Sequence, residues 1–205
     1  DLGERFGARV VGVAASDLRP PMYFADGDFA QKLLEEETAA VQARLSELEA
    51  EFRTAIGRRA ASVEWRSARA LPVPYLLQQA RAADIIVVGA RSEAMVDPYA
   101  APDPSDLVMQ AGRPLIVVPP AVQWLDLRSV LVAWKDTREA RRAINDALPF
   151  LAKATKVTLV VIANASTVVD ARSNLSEIVA WLAHHGIKAE TNVQPSCQAN
   201  ASQLK

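Results

Sequence analysis

The sequence predicts an α/β protein built on parallel sheets, and three observations lead to that class. First, short β-branched runs recur along the chain without polar alternation, which is typical of strands buried on both faces. Second, segments with the periodicity of amphipathic helices separate these runs. Third, strand and helix patterns alternate, which calls for right-handed crossovers and helices on both faces of a parallel sheet.

The strand predictions rest on short runs rich in Val and Ile. The clearest strands cover residues 9–14, 84–89, 115–118, 129–134 and 157–162, and weaker ones cover 63–66 and 187–193. The apolar runs are far shorter than the roughly 20 residues that a membrane-spanning helix needs. The sequence therefore predicts buried strands and no membrane partner.

The helix predictions rest on apolar residues at three- and four-residue steps. A long helix carries such a stripe from Leu34 to Ile56 and ends at Gly57. Another opens with a capping box in which Asp136 accepts from the first-turn amides and Glu139 reaches back. Further helices are expected over residues 75–82, 105–111 and 174–185, and the start of one over 201–205.

Composition narrows the function classes. The chain has 205 residues, with 23 Lys and Arg against 24 Asp and Glu, and its formal net charge is -1. A nearly neutral chain creates no long-range electrostatic field that attracts nucleic acid, so the binding of any ligand or partner depends on a local site. Cys197 is the single cysteine, which excludes an internal disulfide framework and favours a cytoplasmic protein.

The order of elements predicts an internal duplication. The strand at Val157 matches the strand at Val10, and the strand at Ala189 matches the one at Val63. We expect one domain over residues 1–122, without its opening strand, and a second over 123–205, without its last two strands. The natural polypeptide is expected to be longer at both ends, or some of it to be absent from this sequence.

Two stretches carry a family resemblance. Residues 83–92, ADIIVVGARS, followed by residues 107–118, LVMQAGRPLIVV, closely resemble the last strand, loop, helix and strand of universal stress proteins. Residues 130–143, VLVAWKDTREARRA, resemble that family's opening strand and first helix. The resemblance implies two tandem domains of the adenine-nucleotide α-hydrolase-like fold, each a five-stranded parallel sheet in the order 3-2-1-4-5, arranged as a tandem pseudo-dimer that could dimerise further.

The resemblance also implies where nucleotide would bind. ATP-binding members have an acidic residue at the end of the first strand and a loop G-x-x-G, about nine residues, G-[S/T] after the fourth. Glycines let the backbone approach the phosphates, and the following helix N-terminus adds partial positive charge. Gly89 matches the first glycine of this loop, and Val13, on the strand at residues 9–14, is a further weak candidate for nucleotide or anion binding.

The first copy departs from the ATP-binding pattern. Ser92 stands where the second glycine should be, and residues 101–104 read Ala-Pro-Asp-Pro where Gly-Ser would close the loop. Proline removes an amide donor, and Asp97 and Asp103 add negative charge. Triphosphate binding is therefore not expected in this copy. Arg91 and Ser92 either hold a smaller anion or lie in a solvated loop.

In the second copy, Lys135 stands where ATP-binding members carry an acid. Lys135 could meet a phosphate or pair with Asp136. Alternatively, Lys135 simply ends its strand while Asp136 and Thr137 cap the following helix. These residues form a second weak candidate for nucleotide or anion binding.

The leading expectation is a stress-response binding or scaffolding protein with a degenerate nucleotide site in its first domain. The alternative is a regulatory switch that binds ATP in its second domain, with at most slow, incidental hydrolysis. Tyr23 and Phe24 are candidates for a flap over the ligand cleft. The sequence indicates no catalytic residue. His184 and His185 are not expected to bind a metal, because they have no third ligand at metal spacing. The expected partner is a protein or a small ligand.

Overall fold

A computed structural model describes residues 1–19, 27–57, 60–90, 97–164 and 166–195. The chain divides into two compact units, Asp1–Leu125 and Asp126–Lys205. Both units contain parallel strands joined by helices, so the protein belongs to the α/β class that the sequence predicts. In the described part of the chain, every helix is too short or too polar to cross a bilayer.

The described residues of the first unit form two separate parallel sheets of two strands each. One pairs β1 with β2, and the other pairs β3 with β4. The described elements of this unit, in chain order, are α1 (Leu2–Phe6), β1 (Arg9–Ser16), α2 (Asp28–Ile56), β2 (Ser62–Arg69), α3 (Pro72–Gln79) with a 3-10 turn (Ala80–Ala82), β3 (Ile86–Gly89), α4 (Pro104–Gln110) and β4 (Leu115–Val118).

The long helix α2 packs against the sheet formed by β1 and β2. The ring of Phe52, on α2, lies with its centroid 5.3 Å from that of Trp65, on β2. Leu45 is buried on the same helix. The helix ends at Gly57, which has a positive φ of 51° and is the stop that the sequence predicts.

In the part of the second unit that the structure describes, β5, β6 and β7 form a three-stranded parallel sheet in that order. Val130 on β5 lies opposite Val157 on β6, which lies opposite Ala189 on β7. The described elements of this unit, in chain order, are β5 (Ser129–Ala133), α5 (Arg138–Leu151), β6 (Lys156–Ala163), α6 (Val168–His184) and β7 (Ala189–Pro195).

The core of the second unit lies on one face of this sheet. Both crossovers step in the same direction along the sheet, and right-handed connections therefore place α5 and α6 on the same side. Leu159 on β6 is fully buried under them, whereas Leu131 and Ile162, on the other face, are 65% and 72% exposed. The buried cluster comprises Trp134, Ile144, Leu151, Val157, Leu159, Val161, Ala163, Leu175, Leu182 and Ile187.

Several element boundaries differ from the sequence prediction, and two of the differences have a clear local cause. Helix α6 begins at Val168 rather than at residue 174, because the Asn164 side chain accepts from the Thr167 amide at 3.0 Å and forms a turn that starts the helix earlier. Strand β7 begins at Ala189 rather than at residue 187. Ile187 instead donates its amide to the Leu182 carbonyl at 3.0 Å and closes the end of α6.

Candidate functional site

The predicted site residues of the second unit follow β5, at the carboxyl end of the sheet, which is where open α/β sheets bind ligands. Trp134 extends the ladder by donating its amide to the Val160 carbonyl at 2.8 Å. The chain then turns, and the Thr137 amide donates to the Lys135 carbonyl at 2.7 Å. The structure therefore brings Lys135, Asp136 and Thr137 into one tight turn.

Thr137, and not Asp136, is the N-cap of α5. Its hydroxyl oxygen accepts from the Ala140 amide at 3.3 Å. The predicted capping box is wrong, because the turn at Lys135 puts the first helical residue at position 138, one residue later than that box requires. A threonine in this place satisfies one of the orphan amides of the first turn.

The Asp136 carboxylate faces along the helix. One of its oxygens accepts from Arg141 Nη2 at 2.6 Å and from Nε at 3.0 Å. Glu139 pairs with Arg138, and that hydrogen bond lowers the pKa of the Glu139 carboxyl. The Asp136 carboxylate is therefore turned toward Arg141, whereas the Glu139 carboxylate also accepts from its own backbone amide and from the Thr137 hydroxyl.

Lys135 is exposed and makes no ion pair with any residue that the structure describes. The expected pairing with Asp136 does not form, because that carboxylate is engaged by Arg141. The ammonium group thus remains in solvent at the carboxyl end of β5, where an anion could approach it.

In the first unit the candidate residues lie in different sheets. Val13 is half-buried within β1, opposite Arg66 on β2. Gly89 is the exposed last residue of β3, and a Cβ at this position would meet no atom within 4 Å. Its φ is not positive, so the local backbone does not require glycine. Arg91 and Ser92 lie outside the described residues, as do Tyr23 and Phe24.

Hydrogen bonds tie residues 97–103 to the carboxyl end of β1. The Tyr99 carbonyl accepts from the Asp17 amide at 2.8 Å and from the Ser16 hydroxyl at 3.1 Å. The Asp97 carboxylate accepts from Arg19 at 2.9 and 2.5 Å. We call residues 97–103 the β1 strap. Hydrogen-bonding groups at the carboxyl end of β1 are therefore already paired with the strap.

The ion pair between Arg19 and Asp97 of the strap compensates a negative charge that the sequence analysis counted against phosphate binding. The Arg19 hydrogen bond, followed by that of the Tyr99 amide, lowers the pKa of Asp97. Sequence reasoning counted Asp97 as an unpaired negative charge and did not identify Arg19 as its partner. The two residues are far apart along the chain, and no local spacing indicates that they meet.

The strap leads into α4, whose start is already capped. The Asp103 carboxylate accepts from the Ser105 amide at 2.8 Å, and Pro104 is the first helical residue. Pro104 has no N–H to donate, and the Asp103 carboxylate occupies an amide at the helix start. At the start of α4, residues 104 and 105 therefore offer no free amide N–H to a phosphate group.

No protein-family model matches this chain, and no curated protein is significantly similar to it in sequence. The resemblance to universal stress proteins therefore rests on the stretches quoted from the sequence.

Proposed function

We propose that this chain is a tandem universal stress protein of the cytoplasm that acts by binding a protein partner or a small ligand, with a first unit that does not hold nucleotide. It is not proposed to catalyse a committed reaction. The observation that carries the proposal is the β1 strap. The Asp97 and Asp103 carboxylates accept from the Tyr99 and Ser105 amides, in the segment where the family's phosphate loop would present free amides.

The proposed architecture is two copies of a five-stranded sheet in the order 3-2-1-4-5. Its support is the similarity between β1-α2-β2 and β6-α6-β7, each of which is a parallel pair of adjacent strands joined by a helix. Strands β1 and β6 both have eight residues. In this proposal β1, β2, β3 and β4 correspond to strands 2, 3, 4 and 5 of one copy, and β5, β6 and β7 to strands 1, 2 and 3 of the other.

A thermal-shift titration with ATP and Mg²⁺ tests the nucleotide part of the proposal. A ligand at 100 times its Kd stabilises the folded state by about 2.7 kcal/mol. That free energy corresponds to a rise in Tm of several degrees, which is easily measured. We expect no shift at millimolar ATP. A rise in Tm that Lys135→Gln, in the second unit, leaves unchanged would indicate nucleotide in the first unit and contradict the proposal.

The second candidate is an ATP-binding switch that uses the second unit. It is favoured by the exposed ammonium of Lys135, which has no ion-pair partner among the described residues. If ATP does raise Tm and Lys135→Gln abolishes the effect, this second candidate is supported. Lys188→Gln is the matched control, because it removes another exposed lysine of the same unit, away from the β5 turn.

The stress role requires a measurement in cells. The gene is deleted in the source organism, and survival is compared after starvation, heat and oxidative challenge, with the wild-type gene restored as the control. Reduced survival under at least one stress supports the role. Survival and transcript levels that do not change under any of the three would contradict it.

A further inference from the structure

The second unit carries an open cleft of about 490 Å³ between α5, α6 and the end of β5. Its apolar wall consists of Trp134, Ile144, Ile178 and Trp181. The volume lies within the range of about 300–1,000 Å³ that is typical of small-molecule sites. The cleft lies between two helices, and it differs from the Lys135 turn considered above.

Trp134 is unusual among the residues that line this cleft. The residue is only 6% exposed, and its indole Nε1–H has no hydrogen-bond acceptor among the described residues. Buried indole N–H groups usually find a partner, because an unsatisfied donor destabilises the folded state. The side chain lines the cleft, but the nitrogen itself lies beneath the surface, so a ligand acceptor reaches it only when the cleft wall shifts.

Trp181 provides a flat surface in the same wall. Its indole is partly buried, and the ring of His185 meets it edge-on, with 4.6 Å between centroids and an interplanar angle of 63°. This contact restricts the orientation of the Trp181 ring. A planar aromatic molecule can stack on such a ring in an offset arrangement.

Three charged residues, Arg141, Arg142 and Asp146, lie at the polar rim of the cleft. Arg141 is already engaged by Asp136. Arg142 is exposed and makes no ion pair with a described residue, so its guanidinium is available to a carboxylate.

We propose that this cleft binds a planar aromatic molecule that carries one carboxylate. The ring stacks on Trp181, the carboxylate binds Arg142, and an oxygen of the ligand accepts from Trp134 Nε1–H after a small adjustment of the cleft wall. Asp146 selects against a second negative charge. This site goes beyond the proposed stress-protein function and does not depend on it.

NMR of the tryptophan indole N–H groups in the full chain tests the proposal. Naphthoate is the probe, with naphthamide as its uncharged counterpart and cyclohexanecarboxylate as its non-aromatic counterpart. We expect naphthoate to shift the indole signals of Trp134 and Trp181 while those of Trp65 and Trp124 stay in place. Naphthamide should bind about tenfold more weakly or worse, because it cannot form a charge-assisted pair with an arginine. Single Trp→Phe variants assign the signals.

Two variants separate a specific site from general adsorption. Arg142→Gln should weaken naphthoate binding about tenfold, whereas Arg172→Gln, which removes an exposed arginine of α6 that does not line the cleft, should leave it unchanged. Both positions are exposed, and dispersion of the indole signals verifies that each variant is folded.

The proposal is overturned if no indole signal moves at about 5 mM naphthoate, well above a millimolar Kd. It is also overturned if Trp124 shifts as much as Trp134, if the non-aromatic acid binds equally well, or if the two arginine variants behave alike.

Discussion

Gly12 and Trp65 lie opposite each other on β1 and β2, and the Trp65 ring occupies the space that a side chain on Gly12 would need. A Cβ at position 12 would lie 2.5 Å from Cε3 of Trp65 and 2.9 Å from two ring atoms of Phe52. The two rings pack against each other, so neither can move away without disturbing the other. Close contact between α2 and this sheet therefore depends on the absence of a side chain at position 12.

Gly12→Ala is expected to destabilise the first unit by about 1–3 kcal/mol, because the added methyl group overpacks a well-filled site. The measurement is the midpoint of chemical denaturation. Gly89→Ala is the control, since a Cβ there would meet no atom within 4 Å and the backbone does not have a positive φ. That variant should change the free energy of unfolding by less than about 0.5 kcal/mol. Equal effects of the two substitutions would contradict the packing explanation.

Glu64 links the same two strands through charge. Its carboxylate, on β2, accepts from Arg66 at 2.7 Å and also from Arg9 on β1. The Arg66 hydrogen bond, followed by the Arg9 hydrogen bond, lowers the pKa of Glu64 from 4.5 to about 2. A depressed pKa in the folded state means that ionised Glu64 stabilises the fold above the unfolded value and that this contribution is lost as pH falls through the folded value.

The difference in stability between the wild type and Glu64→Gln should therefore depend on pH. We expect it to be largest above pH 4.5 and to shrink as pH falls toward about 2. The effect should be modest because the groups are partly exposed and solvent screens them. Denaturant titrations across this range measure it, with Glu177→Gln, an exposed glutamate of α6, as the charge-matched control. A difference that stays constant from neutral to acid pH would refute the assigned pKa shift.

Thr137→Ala tests which residue caps α5. Loss of the hydroxyl that accepts from the Ala140 amide should destabilise the second unit by about 0.5–2 kcal/mol. Thr137→Ser keeps the acceptor and should recover most of that loss. Asp136→Asn removes only an exposed ion pair with Arg141, so it should change stability by less than about 1 kcal/mol. Thermal unfolding measures all three variants, and a larger effect at Asp136 than at Thr137 would restore the predicted capping box.

Strands and helices with strong local patterns could be predicted from the sequence. The strand at Leu115–Val118 and the end of α2 before Gly57 are where periodicity and a glycine stop place them. Thr137 was one of two caps that the sequence offered for α5. Spacing alone did not separate it from Asp136, because the tight turn at Lys135 depends on a backbone hydrogen bond that spacing does not reveal.

The candidate sites were less predictable than the strands because they depend on contacts between distant residues. The pair Arg19 and Asp97 joins two segments far apart along the chain. Trp134 and Trp181 are far apart along the chain, and only the structure shows that both line one cleft. Composition and periodicity describe local structure, but they carry no information on which distant side chains meet.

The two faces of the β5-β6-β7 sheet should respond very differently to truncation. Leu159 is fully buried beneath α5 and α6, and Leu159→Ala should destabilise the second unit by about 2–5 kcal/mol through lost burial and a residual cavity. Leu131, on the neighbouring strand, is 65% exposed, so Leu131→Ala should cost less than about 1 kcal/mol. Because both substitutions remove the same atoms from a leucine in the same sheet, the contrast isolates the effect of the helix layer. Denaturant titration of the two variants measures it, and similar losses would indicate that the second face is also covered in solution.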